Sequence, residues 1–62
     1  MIEVGKKMFI KHHKEVVPFI VTEVYDSYFY GTIIHKGYQV SGTKMSDADI
    51  GFILFENKED VK

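Results

Sequence analysis

Three groups of residues have the types and spacings to do chemistry. His12 and His13 are adjacent and flanked by Lys11 and Lys14. Neutral imidazoles bind metal ions, and charged ones form a cationic patch that responds to pH near neutrality. Neighbours on a strand point to opposite faces, so a shared metal would need both histidines on a loop. Zinc takes three or four ligands, and only His35 and scattered carboxylates remain to complete a site. A solvated loop accounts for the pair, and we assign no metal and no cofactor. Asp47 and Asp49 form an Asp-Ala-Asp spacing that could hold Mg²⁺ or supply an acid and a base. No calcium-loop glycine and no nucleophile lie nearby, and a helix start accounts for both acids. Asp47 would meet the positive end of the dipole, Asp49 the free amides, and Ser46 would cap. Tyr28, Tyr30 and Tyr38 are the third group. Tyr28 and Tyr30 share one face of a strand, and Tyr38 opens the next strand across the Lys36-Gly37 turn. With His35 and Lys36 they predict an exposed aromatic patch edged by positive groups. Such a patch stacks on bases, cages a cation or anchors a protein interface.

These residues are positioned by short strands. The run Val16 to Ile34 is aromatic and β-branched and folds about Tyr25-Asp26-Ser27, which marks a hairpin of nearly half the chain. Lys7 to Lys11 reads as the first strand, with Met8 and Ile10 on one face and Lys7, Phe9 and Lys11 on the other. Lys11 to Glu15 is polar and reads as a loop. Val16 to Tyr25 is the second strand. Pro18 lacks an amide donor and belongs at a strand start or a ladder edge. Tyr28 to His35 is the third strand, and its Phe29, Gly31 and Ile33 face is the choice for the core. Gly31 inside it marks a bulge or tight bend. Tyr38 to Lys44 is the fourth strand, weakened at its far end by Gly42. A single 3₁₀ turn over Asp47 to Asp49 follows, ended by Gly51. Phe52 to Phe55 reads as the last strand, and Lys58 to Lys62 as one helical turn capped by Asn57.

The 62 residues make one domain, spanning residues 1–62 without linker or repeat. A chain this short buries only about 60% of its unfolded surface. There is no cysteine, so no disulfide supports the fold. A hydrophobic content of 45%, with 15% aromatic residues, still argues for a folded chain. The net charge of −1 implies no bulk attraction to nucleic acid or anionic lipid. Lys6, Lys7, Lys11 and Lys14 lie early, whereas Asp47, Asp49, Glu56, Glu59 and Asp60 lie late. No apolar run approaches the ~20 residues of a membrane span, and the N-terminus lacks a signal-peptide layout. The expected location is the cytoplasm, with no membrane partner.

Five short strands with a short 3₁₀ turn before the last resemble a small SH3-like β-barrel. The opening VGKKMFI is similar to the first strand of SH3, Tudor and related barrels, and the element order is similar across Gly5 to Phe55. The resemblance implies an all-β, five-stranded SH3-like fold. It does not imply polyproline binding, because the chain has no tryptophan and no ALYDY-like stretch. A local resemblance covers Asp49-Ile50-Gly51, Phe52 to Phe55, and Asn57 to Asp60. It is similar to the ends of short accessory proteins of phages and mobile elements in Gram-positive bacteria, and it implies origin rather than activity.

No Gly-rich phosphate loop or elbow serine is present, and Ser27, Ser41 and Ser46 sit in turns or at strand ends without a matched histidine and acid. The expectation is a non-enzymatic protein-interaction module, a phage or mobile-element accessory acting on a bacterial host protein through Tyr28, Tyr30, Tyr38, Lys36 and His35. Two alternatives use the same aromatic face. One is a nucleic-acid-binding barrel that adds Lys6, Lys7, Lys11 and Lys14. The other is a homodimer.

Overall fold

The computed structural model describes residues 2–61. Five antiparallel strands form one sheet: β1 (Lys7–His12), β2 (Glu15–Val24), β3 (Tyr28–His35), β4 (Tyr38–Ser46) and β5 (Leu54–Phe55). Their order across the sheet is β4-β3-β2-β1-β5. The first four strands form a meander, and β5 returns to pair Phe9 with Phe55 and Ile10 with Leu54. Strands β4 and β5 end the order and are not neighbours, and beyond β1 Leu54 bridges Ile50 in the preceding turn.

Period-two alternation accounts for the core. Met8 and Ile10, then Val17, Phe19 and Val21, then Phe29 and Ile33 are buried, the last two on the face of the third strand chosen for the core. Met45 and Leu54 complete the cluster, and Ile2 and Ile50 pack against it. Phe19 meets Phe29 edge to face at 6.2 Å. Gly31 lies between two register shifts, one against β2 around Thr22 and one against β4 between Thr43 and Val40. The β4 bulge carries Gly42 at φ +71°, a left-handed conformation that glycine adopts without strain. Thr22 Oγ1 donates to the Tyr30 carbonyl at 3.2 Å and holds the β2 bulge.

Pro18 lies inside a central strand, yet its missing donor interrupts no pairing with β3. It pairs with Phe9 on the β1 side, while the ladder to β3 begins one residue later, at Phe19 and Ile33. The last strand is shorter than the sequence indicates. Phe52 and Ile53 amides both donate to the Asp49 carbonyl, and Gly51 takes φ +86° and donates to Leu54 O at 2.7 Å. These bonds keep residues 51–53 in a turn, leave Phe52 78% exposed, and confine β5 to Leu54–Phe55. The 3₁₀ turn Asp47–Asp49 is present as expected. A second 3₁₀ turn covers Lys58–Asp60, and the remaining Lys62 of the expected segment lies outside the described residues. Among the described residues no helix is long and apolar enough to cross a membrane.

Candidate functional site

The predicted patch divides into two groups at opposite ends of β3. The Lys36-Gly37 turn pairs Tyr38 with His35, whereas Tyr28 pairs with Ser46 and Tyr30 with Lys44. Tyr38 therefore stands roughly 23 Å along the sheet from Tyr28, seven residues at about 3.3 Å each. It also faces the other way. Tyr28 and Tyr30 alternate with buried Phe29, whereas His35 and Tyr38 continue the core-side row of Ile33 and Val40. The expectation that all three tyrosines neighbour one another is corrected by this register. Lys36 is exposed in the turn beside His35.

At the first end, the two-residue Asp26-Ser27 turn adds a member that the sequence reading did not place in the site. The Tyr25 amide donates to the Tyr28 carbonyl at 2.9 Å, which brings Tyr25 against the pair. Tyr25 stacks on Tyr28 at 5.0 Å, and Tyr30 meets both edge-on, at 6.0 and 5.8 Å. Lys44 Nζ lies 4.6 Å from the centre of the Tyr28 ring, a cation–π contact supplied by the facing strand. The Tyr25 hydroxyl donates to Glu23, and that hydrogen bond to a carboxylate is the first cause of its raised pKa. Tyr25 remains 47% exposed. The cluster continues into an apolar row on the outer face of the sheet. Phe55 pairs with Phe9, and Phe9 with Pro18. Ile20 and Ile34 alternate with core residues on β2 and β3 and are only partly buried. Lys7 and Lys11 edge this row from β1, and Lys7 Nζ lies 5.6 Å from the Phe9 ring centre.

The early lysines do not form one patch. Lys7 and Lys11 share the outer face, Lys14 lies in the β1–β2 turn, and Lys6 binds Glu56 at 2.8 Å. Hydrogen bonding from Lys6, then its charge, lowers the Glu56 pKa. Lys6 and Glu56 line a shallow cleft of about 430 Å³ with Ile2, Asp47 and Ile50. A neighbouring cleft of about 370 Å³ shares Ile2 and Asp47 and adds Val24, Tyr25, Asp26 and Phe29. The clefts thus carry Asp26, Asp47 and Glu56 beside Lys6 and apolar side chains, whereas the outer face carries Lys7, Lys11 and Lys44. Asp49 accepts the Ser46 amide at 2.9 Å and the Ser46 hydroxyl at 3.4 Å, so its carboxylate is held as a helix-start cap.

At the second end the histidines meet. His35 stacks on Tyr38 at 4.6 Å, His12 lies 5.5 Å from His35, and His13 lies 4.2 Å from His12. His35 Nε2 is 2.8 Å from Glu15 Oε2, and His12 Nε2 is 3.2 Å from the Tyr38 hydroxyl. Among the described residues no three His, Asp or Glu side chains come together closely enough to hold a metal ion. The meeting follows from topology, because a meander places the β1–β2 and β3–β4 turns at one end of the sheet. Comparison with known proteins finds no matching family model, curated protein or solved structure.

Proposed function

We propose that this chain is a non-enzymatic protein-interaction module whose contact surface is the outer face of the sheet around Tyr25, Tyr28 and Tyr30. The observation that carries the reading is the three-tyrosine stack crowned by Lys44, on the same face of the sheet as Phe9 and Phe55. Rigid aromatic side chains bury large area at small entropic cost, which is why they dominate binding hot spots. Lys7, Lys11 and Lys44 give the face positive charge, with Glu23 as its carboxylate, so the fitting partner presents an acidic surface with apolar side chains. The fold reading that accompanies this is an SH3-like barrel, supported by five strands with one 3₁₀ turn before the last. The resemblance of the segment Asp49 to Asp60 supports an origin in a phage or mobile element, and a cytoplasmic accessory acting on a bacterial host protein is the role that fits such an origin. Asp49 accepts the Ser46 amide as the helix-start reading expects, which favours a structural role for the Asp47 and Asp49 pair.

A second reading has its own observation. Tyr28 and Tyr30 share a face with Lys7, Lys11 and Lys44, an arrangement that also suits single-stranded nucleic acid. Immobilised protein and lysate of a Gram-positive bacterium, with and without nuclease, separate the two. The interaction module retains a discrete protein after nuclease and loses it in Tyr25→Ala and Tyr28→Ala, while Tyr38→Ala keeps it. Retained material that vanishes with nuclease, and whose affinity falls steeply with salt, belongs to the nucleic-acid reading. Retention unchanged in both Tyr25→Ala and Tyr28→Ala refutes the proposed surface.

A further inference from the structure

At the end carrying the β1–β2 and β3–β4 turns, the core closes on a polar layer. The registers pair Ile10 with Val17 and Ile33 with Val40, which form the last apolar layer. Two residues further, on the same face, they pair His12 with Glu15 and His35 with Tyr38. Each of the four long strands thus contributes one polar or titratable side chain. His35 faces an acceptor at each ring nitrogen, the Glu15 carboxylate at Nε2 and the Lys36 carbonyl at Nδ1, 3.2 Å away. His12 spans the sheet, because its Nε2 meets the Tyr38 hydroxyl and so ties β1 to β4, strands that are not neighbours. With its proton on Nδ1, a neutral His12 accepts a hydrogen bond from that hydroxyl.

The turn that presents His12 is strained. His13 and Lys14 hold φ values of +50° and +69°, left-handed at both central positions of the two-residue turn between His12 and Glu15. Such turns favour Asn-Gly, and side chains larger than glycine persist there only when the surroundings hold them.

We propose that this polar layer is a pH-operated latch: it ties the start of β4 to the end of β1 near neutral pH and releases it when acid charges His12. The groups facing His12 fix the direction. His13 lies in its turn, His35 on β3, Glu15 on β2 and Tyr38 on β4, with Lys14 and Lys36 in the flanking turns. Glu15 is the one carboxylate among them and is engaged by His35. The Tyr38 hydroxyl also accepts from a charged ring, so repulsion rather than loss of an acceptor drives release. Desolvation first, then His13 and His35, hold the His12 pKa below its ordinary value, and Glu15 opposes them. A depressed histidine binds protons better in the unfolded chain. Its contribution to stability is present above the unfolded pKa and is lost as pH falls from there through the folded one.

The test is a proton NMR titration of the His12 ring, run beside hydrogen exchange of the β4 amides, expressed as protection factors. The His12 midpoint is expected below about 6.5, the ordinary histidine value. His35→Gln should raise it by about half a unit, the effect of a like charge 5.5 Å away in water. Protection of residues 38–40 should fall through the wild-type step and stay flat in His12→Gln. A midpoint at or above 6.5, a midpoint unmoved by His35→Gln, or β4 protection constant across the wild-type step overturns the latch. The wild-type titration decides the matter alone should His12→Gln fail to fold.

Discussion

Gly31→Ala tests how tightly this small core is packed. A methyl group at Gly31 would land on the edge of the Phe19 ring and 2.7 Å from the Ile20 carbonyl oxygen. Neither obstacle yields easily. Phe19 is fully buried and held edge-on by Phe29, and Ile20 is backbone paired with Thr32 in the centre of the sheet. Overpacking of this kind costs about 1–3 kcal/mol, and a backbone atom in the way places the cost in the upper half of that range. Alanine also restricts the unfolded chain, which returns about 0.5 kcal/mol. The net expectation is a loss of about 2 kcal/mol from a domain of this size, whose core supplies about 3–5 kcal/mol. That loss lowers the folded-to-unfolded ratio about thirtyfold. It also lowers Tm by roughly 8–16 °C for a domain of 60–100 residues. Urea melts followed by circular dichroism should show a lower midpoint with an unchanged slope. Adding Phe19→Leu removes the ring edge, so the double variant should lose at least about 0.5 kcal/mol less than the sum of the two single losses. A Gly31→Ala loss under about 0.5 kcal/mol, within the usual range for surface changes, would refute the close approach. So would strict additivity with Phe19→Leu.

The β1–β2 turn offers a change of opposite sign. His13→Asn with Lys14→Gly supplies the residues that this left-handed turn prefers and should stabilise the fold by about 1 kcal/mol, read as a higher urea midpoint; an unchanged or lower midpoint would remove the strain from the account. The Lys6–Glu56 pair sets an acid dependence. The Glu56 pKa is lowered, so the stability it contributes is present above the unfolded carboxyl value and is lost as pH falls through the folded one. In Lys6→Met that part of the acid dependence should be smaller, and a melt series from neutral to acid pH that superimposes on wild type would dismiss the pair.

Much of the fold was legible because its signals are local. Met8 and Ile10, and Phe29, Gly31 and Ile33, alternate at period two, and Asp26-Ser27 and Lys36-Gly37 mark the hairpin turns without help from the rest of the chain. The Ser46–Asp49 spacing was equally local, and the cap follows from it. The misplaced tyrosine was a matter of register. Pairing His35 with Tyr38 already implies that Tyr28 meets residue 45, and the Gly42 bulge moves the partner by one, to Ser46. The turn alone could have separated Tyr38 from Tyr28, whereas the one-residue shift could not be read without the bulge. Lys44 was missed for the same reason, since its place over Tyr28 depends on that register. Phe52 and Ile53 misled because their apolar character suggests a strand, while backbone hydrogen bonds to Asp49 hold them in a turn.

The polar layer explains why the sheet can leave one end of its core without an apolar cover. The apolar layer of Ile10, Val17, Ile33 and Val40 is the last that the strands supply on that side, and Val40 is still 36% exposed. A further apolar layer would extend the exposed patch to the turns, an aggregation risk for a meander whose β4 edge is unpaired. Polar side chains there must satisfy one another, since an unpaired polar group near the core costs more than an apolar one. His35 with Glu15 and His12 with Tyr38 meet that requirement across all four strands, and no buried side-chain polar atom among the described residues lacks a partner. The outer face solves the opposite problem differently. Its tyrosines turn their rings toward one another and Tyr25 donates its hydroxyl to Glu23, so aromatic area is retained on a half-exposed face of the sheet.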